Sequence, residues 1–144
     1  MTALAADKRR VYRLTSSTLD ELNEILAAST TVYAGSTIEI DATAGGPTAY
    51  DGTGTQFGGF ALEGGATGDS IRVRKRGQIE LSLNDTIAQT HVGDTVYAET
   101  DDDTFGVTVG SNLPIGKIAA VLTTGALGTN NCLVEFEAVT HSSV

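Results

Sequence analysis

Few side chains in this sequence have the chemistry that catalysis needs. The two histidines are His91 and His141, and the single cysteine is Cys132. A Ser-His-Asp triad would have to be built on His91, yet no Gly-x-Ser-x-Gly elbow accompanies it. Cys132 lies at an apolar position of an alternating run, which is typical of an inert core thiol. The sequence therefore predicts no catalytic residue, and we expect a protein that is not an enzyme.

Metal and phosphate sites also have little to build on. His91-x-x-Asp94 could supply two metal ligands, although Gly93-Asp94 more simply makes a turn into the next strand. The run 101–103 consists of three aspartates, but it lacks the alternating spacing and distal Glu of a calcium loop, and we interpret it as a solvated hairpin tip. The Gly-rich run 64–70 lacks the Lys-Ser/Thr ending of a phosphate loop. We expect no metal and no cofactor.

The basic residues form two clusters in an acidic chain. The formal net charge is −9, and the clusters lie at 8–13 and 72–76. Two explanations are open: the cations keep strand faces soluble, or they meet an acidic surface on another copy or another protein. Nucleic acid is the weaker choice, because a body of this charge repels phosphate and no aromatic residues interleave with the cations of 72–76. The candidate interface cations are Lys8, Arg9, Arg10, Arg13, Arg72, Arg74 and Arg76.

The segment 1–30 is predicted to be an N-terminal arm that carries one short helix. Thr18-x-x-Glu21 has capping-box spacing, and apolar residues then recur at helical spacing, so the helix is expected at about 18–28. Such a short helix is not stable alone in water, and it must dock on its own domain or on a neighbour. Its apolar stripe adds four residues to the candidate interface: Leu19, Leu22, Ile25 and Leu26.

Residues 31–144 are predicted to form a β domain. Short runs of alternating apolar and polar residues are separated by Gly-rich turns, a pattern typical of a small antiparallel β-sandwich or barrel. No apolar run approaches the ~20 residues of a membrane helix, and no secretory signal is visible, so we expect no membrane partner.

The run 71–83 is predicted to be one long strand interrupted at Gly77 by a bulge or a tight turn. The three arginines at 72, 74 and 76 have the same parity, so a regular strand would project them from one face. Lys75 breaks the apolar pattern, as expected near an exposed turn. One explanation is that Glu135 and Glu137 neutralise this face across a sheet. The other, which we favour, is that the face meets an acidic partner.

Five segments with glycine-rich or strand-forming patterns follow one another along the chain. They are Val32-Tyr-Ala-Gly35, Phe57-Gly-Gly-Phe-Ala-Leu-Glu-Gly64, Gly68-Asp-Ser-Ile-Arg-Val-Arg-Lys-Arg-Gly77, Val92-Gly-Asp-Thr-Val-Tyr-Ala98 and Leu113-Pro-Ile-Gly-Lys-Ile118. Taken in this order, they resemble the small capsid cement, or decoration, proteins of tailed bacteriophages. The resemblance covers roughly residues 31–139. The longer arm before residue 30 and the acidic run 101–103 depart from the family.

The resemblance implies a structural virion protein, made in the host cytoplasm, that binds the outer surface of the phage head. Such proteins bridge capsomers and stabilise the shell, commonly as trimers at threefold and quasi-threefold positions. The implied partners are the major capsid protein and further copies of this chain. The arm would then dock on an adjacent subunit or on the capsid protein, and the cations of 8–13 would bind acidic groups there.

Two alternatives remain open. One is an oligomeric β-rich phage fibre or carbohydrate-binding adhesion module, although the chain offers no Trp and only four Tyr as sugar platforms. The other is a small hydrolase on a β-barrel, which the lack of a catalytic constellation disfavours.

Overall fold

A computed structural model describes residues 3–13, 21–27, 30–41, 43–54, 56–110, 112–122 and 130–138. Within these ranges the protein is mainly β, as the sequence predicted, with one 3-10 turn at Gln89–His91. The strands are β1 Tyr12–Arg13, β2 Glu21–Ile25, β3 Thr31–Val32, β4 Thr37–Asp41, β5 Gly46–Ala49, β6 Phe57–Ala61, β7 Gly65–Ala66, β8 Ser70–Arg74, β9 Arg76–Ser82, β10 Thr95–Ala98, β11 Phe105–Gly106, β12 Leu113–Val121 and β13 Asn131–Glu137.

The strands form three antiparallel sheets. A six-stranded sheet has the order β1-β9-β13-β12-β10-β11, and a five-stranded sheet has the order β2-β8-β6-β4-β5. The third sheet is the short pair β3-β7. The segment before residue 31 contributes an edge strand to each large sheet, because β1 pairs with β9 and β2 pairs with β8. The described residues of the predicted arm are therefore built into the sheets.

The predicted helix at about 18–28 is wrong in the residues that the structure describes. Residues 21–25 are strand β2, in which Leu22 and Glu24 face the interior of the five-stranded sheet and Ile25 faces outward, 67% exposed. Leu26 follows the strand and is buried. The sequence did not show the period-two pattern of a strand, because Glu24, the middle one of three inward-facing residues, is charged. Leu19 lies outside the described residues.

The run 71–83 is two strands in different sheets, and the chain crosses between the sheets at Lys75. β8 belongs to the five-stranded sheet and β9 to the six-stranded sheet. Lys75 is only 4% exposed, so the prediction of an exposed turn is wrong. Its Nζ lies 2.6 Å from Oε1 of Glu24 and donates a hydrogen bond to the carbonyl oxygen of Gly58 at 2.8 Å.

A bulge in β6 directs two aromatic rings toward the six-stranded sheet. Ile38 of β4 lies opposite Gly59, but the next residue, Glu39, lies opposite Phe57, so β6 carries an extra residue. Gly59 has a φ of +110°, a conformation that favours glycine and suits a bulge. Phe57 and Phe60 consequently enter the same core cluster.

The two large sheets contact each other through this aromatic cluster. The ring centroids of Phe60 and Phe136 of β13 are 5.0 Å apart in an edge-to-face arrangement, which favours aromatic pairs. Phe57 contacts Phe136 in the same way at 6.1 Å. A second, smaller cluster, which includes Leu26, Val32 and Ile38, belongs to the five-stranded and β3-β7 sheets.

We predict that Lys75→Met lowers the free energy of unfolding by about 3–5 kcal/mol, because it leaves the Glu24 carboxylate buried without its cation. The matched control is Lys117→Met on the exposed side of β12, for which we expect a change within ~0.5 kcal/mol. Urea unfolding followed by circular dichroism measures both. Adding Glu24→Gln to Lys75→Met should recover part of the loss. Equal effects of the two lysine substitutions would contradict this role of the ion pair.

Candidate interaction surfaces

Two of the N-terminal cations form ion pairs within the chain. Nζ of Lys8 lies 2.9 Å, and Nη2 of Arg10 lies 2.8 Å, from Oδ1 of Asp103. Arg10 is 8% exposed, donates a second hydrogen bond to the carbonyl oxygen of Gly35, and stacks its guanidinium over the Phe105 ring. Lys8 and Arg10 thus attach the N-terminal segment to its own domain, and their carboxylate partner lies within the chain and not on an external acidic surface.

The acidic run 101–103 is the other half of this attachment, and its interpretation as a solvated hairpin tip is wrong. Asp102 is buried; its Oδ1 accepts a hydrogen bond from the backbone of Leu4, and its carbonyl oxygen accepts two from Thr37. Burial raises the pKa of the Asp102 carboxyl above its ordinary value. The opposite charges of 8–13 and 101–103 were the signal that could have paired these segments.

The arginines of 72–76 do not share one face. Arg72 pairs with Glu63 and Arg74 with Glu21, both at 3.3 Å, and Arg74 also lies over the Tyr12 ring. Arg76 belongs to the other sheet, where its register partner is Glu137 of β13. Arg76 therefore lies opposite a glutamate of β13 in one sheet, which is the arrangement that neutralisation across a sheet requires. Arg72 and Arg74 instead pair with carboxylates of other segments.

The structure brings Ile25 and Arg72 together on one outward surface. In the β2–β8 pair, Ile25 lies opposite Ser70 and Asn23 lies opposite Arg72, so all four side chains project from the same face. We call these four residues the β2–β8 face. Its Arg72–Glu63 pair is largely exposed, and exposed ion pairs contribute little to stability. The sequence indicated Ile25 and Arg72 for separate reasons; only the strand pairing makes them neighbours.

The other predicted interface residues are divided between surface and interior. Arg9 is exposed, and so is Arg13, whose Nη2 lies 4.0 Å from Oε2 of Glu80. Leu22 is half-buried, and Leu26 belongs to the core of its own domain. The three apolar residues that the structure describes, Leu22, Ile25 and Leu26, therefore do not form the continuous docking stripe expected of the predicted helix.

A groove of about 920 Å³ on the six-stranded sheet was not anticipated from the sequence. A row of polar side chains crosses its floor, one from each of five neighbouring strands. The only sequence signal for it was the alternation that places Glu135 outward in β13. In order across the sheet, the row is Arg13, Gln78, Glu135, Lys117 and Thr95.

The described residues that could serve in catalysis or metal binding have structural roles. Cys132 is completely buried, as predicted, and burial raises the pKa of its thiol to about 12. Nδ1 of His91 accepts a hydrogen bond from the backbone of Ala88 within the 3-10 turn, and the backbone of Asp94 donates to the carbonyl oxygen of His91. The Gly93-Asp94 turn is thereby confirmed. His141 lies outside the described residues.

Among the described residues, no group of three or more His, Cys, Asp or Glu side chains is placed to hold a metal ion. The same ranges contain no helix that is long and apolar enough to cross a membrane. Comparisons of the chain with protein-family models, with curated proteins and with solved structures give no match.

We predict that Arg10→Gln lowers the free energy of unfolding by about 1–3 kcal/mol, because it removes charge-assisted hydrogen bonds from a buried site while Lys8 still pairs with Asp103. Its neighbour provides the control: Arg9→Gln on the exposed side should change stability by less than ~0.5 kcal/mol. Thermal unfolding of both variants at low and high salt measures the difference. A comparable loss for Arg9→Gln would show that Arg10 has no special role.

Proposed function

We propose that this protein is a non-enzymatic structural component of a bacteriophage virion, a cement protein that binds the outer surface of the head and bridges capsomers. One observation carries the proposal: the segments that resemble that family supply strands of all three sheets. They contribute β6, β8 and β10 and parts of β3, β9 and β12, together with the crossover at Lys75.

Three glycines of these segments occupy positions that have no room for a side chain. A Cβ atom at Gly35, Gly59 or Gly116 would collide with a backbone carbonyl oxygen of Lys8, Arg74 or Glu135, respectively. The segments are therefore determinants of the backbone arrangement, and their shared order supports a shared architecture. In that architecture we propose that the five-stranded sheet curls toward a barrel, since the N–H of Ala27 after β2 donates to the carbonyl oxygen of Pro47 in β5.

We further propose that the β2–β8 face contacts the major capsid protein. Ile25 offers an exposed aliphatic side chain beside Arg72, a planar cation suited to bidentate pairing with a carboxylate of a partner. A small patch binds weakly alone, so the trimer implied by the family would raise the apparent affinity through effective concentration. Formation of the trimer would thus strengthen binding to the head.

The proposal predicts that the purified protein co-sediments with empty heads assembled from the major capsid protein of the same genome. Ile25→Ser combined with Arg72→Gln should weaken this binding at least ~10-fold, which corresponds to about 1.4 kcal/mol, with an unchanged melting temperature. Added salt should weaken the wild-type protein more than this variant, because one ionic contact is then missing.

The control variant carries the same two types of substitution elsewhere on the surface, at the exposed residues Val109 and Arg9. Val109→Ser with Arg9→Gln should bind heads like the wild type. Equal binding by both double variants would remove the β2–β8 face from the proposal. Failure of the wild-type protein to bind heads at any concentration would overturn the head-binding function itself.

A carbohydrate-binding adhesion module is the second candidate, and the groove on the six-stranded sheet favours it. Its floor presents both hydrogen-bond donors and acceptors, including Arg13, Gln78 and Glu135, which sugar hydroxyls could bridge. A glycan array separates the two candidates: saturable binding that Glu135→Gln abolishes would support the module, whereas the cement function predicts no glycan binding.

A further inference from the structure

Glu39 in β4 is a buried carboxyl group whose position the proposed function does not explain. The residue is 0% exposed. Its Oε1 accepts a hydrogen bond from the hydroxyl of Thr48 at 3.2 Å, whereas its Oε2 is buried without a hydrogen-bond partner. A carboxylate in such a place loses its hydration and gains little in return, so the neutral acid is the favoured form.

The groups facing Glu39 do not compensate its charge. Asp41 of its own strand and Asp51 of the following loop both disfavour ionisation, and the Thr48 hydroxyl on β5 only partly offsets them. On the third side, β6 places Phe57 opposite Glu39. Burial raises the pKa of the nearby Tyr50 phenol, and the charge of Glu39 raises it further.

A short loop, residues 51–54, covers the Glu39 carboxyl. Oδ1 of Asp51 accepts hydrogen bonds from the backbone and the hydroxyl of Thr53, which folds the loop back on itself. The backbone of Gly54 then lies directly on the carboxyl group, so that a Cβ there would collide with Oε2 of Glu39. Because glycine is the residue that permits this contact, the loop and the carboxyl group are fitted to each other.

We propose that Glu39 is a proton-controlled latch: protonated, it holds the 51–54 loop closed, and deprotonated, it repels Asp51 and releases the loop. In the closed state the neutral acid can donate its proton toward the Asp51 carboxylate. Loss of that proton leaves the buried Glu39 carboxylate exposed to the unfavourable charge of the Asp51 carboxylate in the loop. Opening then admits water to the Glu39 anion. The latch is independent of head binding and of the β2–β8 face.

The direction of the pH dependence follows from proton linkage. Burial first, and then the charge of Asp51, raises the pKa of Glu39 from 4.5 to about 7. The closed state therefore binds more protons than the open or unfolded state between these two values. Closure is strongest below about pH 4.5 and weakens as the pH rises to about 7, above which no further loss from this group is expected.

Hydrogen exchange of the backbone amides of residues 51–54, corrected for intrinsic rates, tests the latch in the full chain. In the wild type we expect protection to fall on the order of 10- to 100-fold between pH 5 and pH 8. Glu39→Gln has nearly the same shape and no titrating group, so its protection should be almost independent of pH. Glu137→Gln, at an exposed glutamate in β13, is the matched control and should behave like the wild type.

Asp51→Asn provides a second, independent variant. It removes the facing carboxylate, so the midpoint of the pH dependence should move to lower pH while the transition remains. This variant decides the matter if Glu39→Gln does not fold. Protection of 51–54 that is the same at pH 5 and pH 8 in the wild type would overturn the latch, as would a transition that survives unchanged in Glu39→Gln or in Asp51→Asn.

Discussion

The buried ammonium group of Lys75 is the point on which the arrangement of the two large sheets depends. It lies where the chain leaves β8 for β9, and it contacts Glu24 of the edge strand β2 and the carbonyl oxygen of Gly58 in the β6 bulge. The carbonyl oxygen of the same residue accepts a hydrogen bond from the backbone of Ala138, just after β13. One residue thus joins an edge strand, a bulge and a crossover. Because a buried charge is costly unless it is paired, the three must be placed together.

The β class, the turns and the core position of Cys132 could be predicted because each depends on local patterning. The errors all involve charged residues that the structure buries. Glu24 interrupts an apolar strand pattern and so suggested a helix; Lys75 suggested an exposed turn; Arg10 suggested an external partner. A single sequence gives no way to see that a charge has a partner many residues away. Strand order in a non-local β fold has the same difficulty, since pairing depends on contacts between distant segments.

Internal pairing also reduces the part of the basic clusters that could meet another molecule. Lys8, Arg10 and Arg74 have carboxylate partners within the chain, so their positive charge is largely neutralised without another molecule. The β2–β8 face differs, because its ion pair is exposed and an aliphatic side chain lies beside it. Such a face can exchange an internal carboxylate for one on a partner at little cost in stability. That exchange is the physical basis on which the proposed contact with a capsid rests.

The central claim is that this chain is a stoichiometric component of a phage head, and its copy number in purified particles tests that claim most directly. Quantitative mass spectrometry of particles, before and after removal of tails, gives the ratio of this chain to the major capsid protein. The account predicts a constant ratio near one copy per major capsid subunit, retained by tailless heads. Absence from washed heads, or a few copies that leave with the tails, would contradict it.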